Sequence, residues 1–247
     1  MESFGLDIGG SGIKGAVVDV DRGTLMTPRF RLPTPEGAEP EEMAVVVKEV
    51  VAHFGWQGPI GSGFPAVVTN GEARTAANIH PSWIGKNIEK LFGTYIGLPV
   101  CVLNDADAAG MAEMRFGAGI HYKKGVVLMI TVGTGIGTAI FVNGTLLPNT
   151  EFGHIEVRGK DAEKRTSDAT RQRKKLSWEA WGEIFNEYLD TMERLIYPDV
   201  IIVGGGISKQ WGKFEYCLNI HAPVLPAQFL NEAGIIGAAV YASEQTH

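Results

Sequence analysis

The sequence predicts an α/β protein of two lobes, each built on a mixed sheet flanked by helices. Two observations carry that expectation. A strand–glycine turn–strand unit occurs twice, over residues 6–20 and again over 126–142, about half the chain apart. Between and after these units, short apolar runs alternate with segments whose apolar residues recur at helical spacing, such as Met43, Val46, Val47, Val50 and Val51. The 247 residues suffice for one large domain or two small ones.

In the first hairpin Leu6-Asp7-Ile8 leads into Gly9-Gly10-Ser11-Gly12-Ile13-Lys14-Gly15, and a β-branched run over 16–20 returns. Glycines at 9, 10 and 12 allow positive φ and close backbone approach, and turn amides pointing into a concavity form an anion nest. Asp7 stands at the tip of the incoming strand. A carboxylate beside a phosphate is repulsive unless a cation intervenes, so Asp7 is expected to orient Mg²⁺ through water. The spacing Gly10-x-Gly12-x-x-Gly15 imitates a dinucleotide fingerprint, but β-branched residues follow where a helix should start, and the Walker pattern does not fit. The second hairpin repeats the device: an apolar strand over 126–132, Gly133-Thr134-Gly135-Ile136-Gly137, and a return over 138–142. Two such phosphate clamps, one per lobe, imply lobes that close over a phosphorylated donor.

The remaining elements follow in order. Residues 3–32 read as a three-stranded meander with its third strand at 25–32, and Pro33, Pro35 and Pro40 mark a loop. A helix is expected over 41–54, a short strand over 58–65 that ends in a glycine turn at Gly63, and an irregular polar stretch over 75–83 holding Asn78, His80 and Trp83. His80 precedes a proline and reads as a turn residue. A helix over 84–96 and a buried strand over 99–103 come next. Asn104-Asp105-Ala106-Asp107 follows at the carboxyl end of that strand, where open α/β sheets place ligands. Either Asn104 or Asp105 would cap a helix reaching about residue 116, with Asp107 complementing its dipole. Asn143-Gly144 is a hairpin turn signal. Residues 176–197 form an amphipathic helix whose Trp178, Trp181, Phe185 and Tyr188 read as core. A buried strand over 199–203 ends in Gly204-Gly205-Gly206, residues 207–230 show no pattern, and a small-residue helix spans 233–246.

These motifs together resemble the ROK sugar kinases of the actin-like ATPase superfamily, with its ribonuclease H-like lobes, and among them the polyphosphate-dependent glucokinases. Asp7-x-Gly9-Gly10-x-x-x-Lys14 is similar to the first phosphate motif of that superfamily and Gly133-Thr134-Gly135-x-Gly137 to its second. The match continues through Asn104-Asp105-Ala106-Asp107, Glu151-Phe152-Gly153-His154 and Gly204-Gly205-Gly206, in order over nearly the whole chain. The resemblance implies transfer of a terminal phosphoryl group from polyphosphate or ATP to glucose, with Asp105 as catalytic base. It assigns Asp7, Gly9, Gly10, Ser11, Gly12, Lys14, Gly133, Thr134, Gly135 and Gly137 to phosphate. It assigns Gly63, Asn78, Asn104, Glu151, His154 and Glu156 to the sugar, and Gly204, Gly205 and Gly206 to the adenosine side. Lobe boundaries are expected at 1–108 and 109–232, with the last helix joining the first lobe.

The chain departs from the wider family in one respect. Many ROK proteins carry a cysteine-rich zinc motif just after the His, whereas this chain has no cysteine between Cys101 and Cys217. Structural zinc is not expected. In its place stands a basic stretch over 158–175, within a protein of net charge −6. Most charge runs are solvated helix faces. The alternative is a landing strip for a polyanion, with Lys164, Arg165, Arg171, Arg173, Lys174 and Lys175 as the polyphosphate path.

The acidic balance argues against a nucleic-acid binder, and no apolar run approaches a membrane span. The cysteine usage and the absence of a leader pattern point to the cytoplasm. A homodimer is expected. The alternatives are a strictly ATP-dependent hexose kinase or another sugar or acyl kinase of the same fold. A sugar-responsive repressor would need a DNA-binding domain ahead of the first hairpin, and a nucleotide-dependent filament protein would not need Glu151 and His154.

Overall fold

The computed structural model describes residues 1–77 and 79–245. Its elements in chain order are β1 (Glu2–Gly9), β2 (Gly12–Asp19), β3 (Thr24–Leu25), β4 (Phe30–Leu32), α1 (Pro40–Phe54), β5 (Ile60–Phe64), β6 (Val68–Thr69), β7 (Glu72–Ala73), α2 (Ile88–Ile96), β8 (Val100–Asn104) and α3 (Asp105–Phe116). Then follow β9 (Val126–Val132), β10 (Ile136–Val142), β11 (Thr145–Leu147), β12 (Glu156–Val157), β13 (Lys160–Asp161), α4 (Glu163–Thr166), α5 (Asp168–Arg173), α6 (Trp178–Ile196), β14 (Val200–Gly204), β15 (Val224–Pro226) and α7 (Ala233–Gln245). The chain divides into two compact units, Met1–Phe116 with Glu232–His247, and Gly117–Asn231. The boundary expected at 108 falls inside α3, which lies wholly in the first unit, where Gly237 of α7 packs directly on the Ala108 carbonyl.

In the first unit the sheet order is β3-β2-β1-β5-β8, with β4 also on β2. β1 and β2 are antiparallel, while β1, β5 and β8 run parallel. Side chains alternate across β1. Phe4, Leu6 and Ile8 are fully buried against Met43, Val47 and Val50 of α1. Burial of each such side chain contributes about 1.5–3 kcal/mol. The opposite face carries Gly5 and Asp7 toward α7. A Cβ on Gly5 would stand 1.9 Å from the Ile235 carbonyl oxygen, and one on Gly61 of β5 would stand 1.8 Å from that of Ala238. Glycines are needed at both positions for α7 to lie on the sheet.

In the second unit the order is β11-β10-β9-β14-β15, with β9 and β14 parallel. Trp181, Phe185, Tyr188, Leu189 and Met192 share one stripe of α6, all 0% exposed, whereas Trp178, also expected in the core, is only half-buried at the start of the helix.

Three expectations change. The third meander strand splits into β3 and β4, because Pro28 offers no N–H; the Val17 amide bonds Thr27 Oγ1 instead, at 3.1 Å. The helix expected from 84 starts at Ile88, since Gly85 has φ 82° and the Asn87 side chain caps the Lys90 amide at 2.8 Å. Residues 207–230 hold the edge strand β15, three residues long and without periodicity.

Candidate active site

The parallel strands of the first unit bring the chemistry-bearing residues to one edge. Asp7 is in register with Gly63, and Gly63 and Phe64 are in register with Leu103 and Asn104. Asp105 follows as the first residue of α3. A Cβ on Gly63 would lie 3.3 Å from the Ala108 Cβ and 3.6 Å from the Asp105 Cα, so glycine here lets the end of β5 pack closely on the first turn of α3. Asn104 is 7% exposed. Its Oδ1 accepts from the amides of Ala106 at 2.8 Å and Asp107 at 3.2 Å, and its Nδ2 donates to the Ala66 carbonyl at 3.1 Å. Capping thus occupies the acceptor atom and leaves one Nδ2 hydrogen to offer a ligand. Asp105 Oδ1 also accepts from the Ala106 amide, at 2.8 Å. Asp107 is buried inside the helix. Asn78 lies outside the described residues.

The first hairpin closes with Gly9 opposite Gly12, and Asp7 opposite Lys14. Lys14 Nζ donates to Asp7 Oδ2 at 2.7 Å, with both side chains largely enclosed. The cation that Asp7 requires beside a phosphate is therefore supplied in part by the chain. The turn's carbonyls are also engaged: Thr34 Oγ1 donates to the Gly9 oxygen at 2.6 Å, and the Arg31 guanidinium to that of Ser11. The guanidinium packs so closely on Gly12 that a Cβ there would stand 2.4 Å from Nε. Gly234, in the first turn of α7, lies beside the Asp7 carboxylate; a Cβ there would be 3.1 Å from Cγ. A helix N-terminus, a lysine and an arginine thus converge on this turn, a field suited to anions.

In the second unit β9 and β14 end at the same edge, with Gly204 in register with Thr131. Gly205 has φ 77° and lies on the backbone of Val132, so the triple-glycine segment abuts the second hairpin. That hairpin is held differently from the first. Glu163 Oε2 accepts from the Ile136 amide at 2.9 Å and occupies the space that a Cβ on Gly135 would need, 2.3 Å away. The Ala169 amide donates to the Gly133 carbonyl at 3.2 Å. Thr134 is exposed at the tip, and Gly137 starts the return within β10.

Glu151 precedes and His154 ends a single helical turn, Phe152–His154. The buried Tyr188 hydroxyl donates to the Phe152 carbonyl at 3.2 Å, and burial pushes its pKa up, so the proton stays available. His154 Nδ1 lies 3.0 Å from Asp161 Oδ2, and Nε2 lies 3.9 Å from Glu151 Oε2. The Asp161 hydrogen bond raises the His154 pKa against the effect of burial, with Glu163, Asp161 and Glu151 adding their charges. Burial raises that of Glu151; His154 opposes this and Glu163 reinforces it. Glu156 is exposed on β12, opposite Asp161.

The basic segment separates into two groups. Arg165 is enclosed and pairs with Glu187 at 2.7 Å; Arg171 pairs with Asp168 at 2.7 Å and lies over the Trp178 ring at 3.8 Å. Both are neutralised by carboxylates and serve packing, which removes them from a free cationic path. Lys164, Arg173, Lys174 and Lys175 remain exposed.

Sequence reasoning missed Arg31, Thr34, Gly234, Asp161 and Glu163. Asp161 and Glu163 were visible only as acidic members of a charged run, and their partners lie in other elements. Among the described residues no group of three or more His, Cys, Asp or Glu side chains is arranged to hold a metal, and no helix is long and apolar enough to cross a membrane.

Residues 3–173 match the model of the ROK family. The chain is 48% identical to a polyphosphate glucokinase of Mycobacterium tuberculosis over 246 residues, covering 99% of this chain and 92% of the relative. Among solved structures, an inorganic polyphosphate/ATP-glucomannokinase from Arthrobacter sp. strain KM superposes with a TM-score of 0.95 at 44% identity, over 99% of both chains. A ROK family glucokinase from Streptomyces griseus, in complex with glucose and AMPPNP, superposes at 0.85 with 26% identity, over 99% of this chain and 100% of that one.

Proposed function

The chain belongs to the ROK family, and from that premise we propose that it is a glucokinase that moves the terminal phosphoryl group of polyphosphate or ATP to glucose. The observation that carries the reading is the shared edge of β1, β5 and β8, which gathers Asp7, Gly63, Asn104 and Asp105. Asp105 takes the proton from the attacking hydroxyl. Asn104 offers its remaining Nδ2 hydrogen to the sugar, and Gly63 lies on the sugar side, next to Asp105. Asn78, Glu151, His154 and Glu156 complete the sugar contacts. Gly9, Gly10, Ser11, Gly12 and Lys14, and Gly133, Thr134, Gly135 and Gly137, are phosphate ligands, and Gly204, Gly205 and Gly206 belong to the adenosine side. Most of the catalysis is positioning and charge stabilisation.

Kinases of this kind generally use a divalent metal with the donor. Mg²⁺ asks for one or two carboxylates besides phosphates and waters. Asp7 fits that role, since Lys14 occupies Oδ2 and leaves Oδ1 facing the start of α7. Mg²⁺ would neutralise donor charge there while Lys14 and the turn amides fix the phosphates.

Purified protein should phosphorylate glucose with ATP and with polyphosphate, and Asp105→Asn should lose about a hundredfold or more in turnover with both while glucose still binds. Near-normal turnover would reduce Asp105 to a helix-terminal acid. Polyphosphate has no base to grip, so its added affinity comes from exposed cations and is screened over a Debye length of about 8 Å at physiological salt. Replacing Lys164, Arg173, Lys174 and Lys175 by Gln should raise the KM for long polyphosphate and flatten its salt dependence, with ATP kinetics changing much less. Equal losses with both donors would point instead to a shared site.

A further inference from the structure

We propose that Asp161 is the positioning residue for His154, fixing the imidazole so that Nε2 faces Glu151 and the sugar; the proposal rests on the reading of His154 as a glucose ligand. His154 ends a single turn of helix and its side chain is 41% exposed. Such a ring is otherwise free to rotate, and ordering it only when sugar arrives would cost conformational entropy. The hydrogen bond from Nδ1 to Asp161 Oδ2, at 3.0 Å, removes that freedom. A carboxylate only accepts, so the bond also puts a proton on Nδ1 and assigns the other nitrogen to the ligand.

Asp161 is itself held from several sides. Arg158 and Gly159, with φ 51° and 72°, form the two-residue turn that folds β13 back on β12. That register returns Asp161 to a place opposite Glu156, two residues after His154. Ala162 donates its amide to the Ile155 carbonyl at 2.9 Å, and the Lys164 amide donates to Asp161 Oδ1 at 3.3 Å. Glu187 on α6 pairs with both Arg158 and Arg165, pinning the two ends of the segment to the core helix. The charged groups around the imidazole are then Glu151, Asp161 and Glu163, with Lys164 next to Asp161. This is a built arrangement in which the stretch from Arg158 to Arg165, to which no sugar contact is assigned, sets the geometry of the turn that holds His154.

The experiment uses Asp161→Asn, Asp161→Ala, His154→Ala and the double Ala variant of the full chain. Asn keeps an acceptor for the Lys164 amide, so its fold is preserved, but its amide hydrogen toward Nδ1 moves the ring proton to Nε2. Titration of His154 by NMR should show a lower pKa in Asp161→Asn than in the wild type. Glucose affinity should weaken about tenfold in Asp161→Ala, the scale of one charge-assisted hydrogen bond. KM for either donor should stay within about twofold, and adding Asp161→Ala to His154→Ala should cost less than about twofold more in glucose affinity. An unchanged His154 titration, or a full additional loss in the double variant, would overturn the proposal. Unchanged glucose affinity in His154→Ala would instead overturn the sugar-ligand reading, while the titration still judges the pairing.

Discussion

The two glycine hairpins use one backbone device in opposite electrostatic settings. Around the first turn stand Lys14, Arg31 and the N-terminus of α7, and its carbonyls are drawn off by Thr34 and Arg31. At the second turn a carboxylate of the chain itself, Glu163, accepts the Ile136 amide. Glycine therefore supplies the close approach in both, while Lys14 within the first hairpin and more distant residues such as Arg31 and Glu163 decide the sign of the field. Glu163 on the Ile136 amide also shows that the second turn offers an N–H to an anion. A phosphate approaching there meets a resident carboxylate with no ion-pair partner among the described residues, whereas at the first turn the resident carboxylate, Asp7, is paired by Lys14 and Arg31 adds a second cation.

The largest effect should come from removing the charge that defines the first turn. Lys14→Met deletes the ammonium 2.7 Å from Asp7 and leaves that carboxylate uncompensated at the proposed donor-phosphate turn. Both consequences act in the same direction. We expect kcat/KM to fall about a hundredfold or more with ATP and polyphosphate alike, the scale of a lost electrostatic stabiliser. Glu163→Gln, which keeps an acceptor for Ile136 but removes the charge, should lower donor KM a few-fold at low salt and less at high salt. Parallel losses in the two variants, measured by steady-state kinetics, would erase the distinction between the turns.

A smaller contrast concerns what each hairpin packs against. Gly153 lies against the backbone of the second hairpin, where a Cβ would stand 2.1 Å from the Ile136 carbonyl oxygen. Gly12 lies against the Arg31 guanidinium, the far end of a flexible side chain. Gly153→Ala must shift strand backbone and should cost about 2–3 kcal/mol in denaturant melts, together with weaker glucose binding. Gly12→Ala should cost under about 1 kcal/mol, since Arg31 can swing aside. A mild Gly153→Ala would mean that the Glu151–His154 turn is not braced by the hairpin.

Much of this was legible locally. The hairpins announce themselves through glycines between β-branched runs, α6 through its aromatic spacing, and the Asn104-Asp105 pair through its place after a buried strand. Each signal is confined to a few consecutive residues with a fixed period. The electrostatic partners were not legible, because Arg31–Ser11, Glu163–Ile136 and His154–Asp161 join residues that no period relates. Arg171 illustrates the cost: as one basic residue among many it looked free, and only the fold reveals Trp178 beneath it and Asp168 beside it. The helix start at Ile88 was hidden by apolar Ile84, which the structure leaves exposed.

The smallest effect sharpens the comparison through pH, because the neighbourhood of the second hairpin titrates. The Asp161 hydrogen bond lifts the His154 pKa above its ordinary 6.5, against burial. A group with a raised folded-state pKa contributes stability that is full below the unfolded value and lost as pH rises through the folded one. Burial likewise raises Glu151 above 4.5, and His154 partly offsets it. Its contribution is full below 4.5 and fades as pH climbs through its raised value. Asp161 works in the other direction: burial would raise it, but the hydrogen bonds from His154 and the Lys164 amide hold it below 3.8. Its share is full above 3.8 and disappears only as pH falls through the depressed value. The His154–Asp161 pair is thus at full strength between 3.8 and 6.5 and weakens above that window. Denaturant melts of the wild type and Asp161→Asn should differ most near about pH 5.5 and converge toward about pH 9. Because the imidazole is well exposed, the difference should be small. A gap between the two proteins that is constant across this range would show that the imidazolium charge adds nothing to the pairing with Asp161, and would detach the imidazole from the scaffold of the second hairpin.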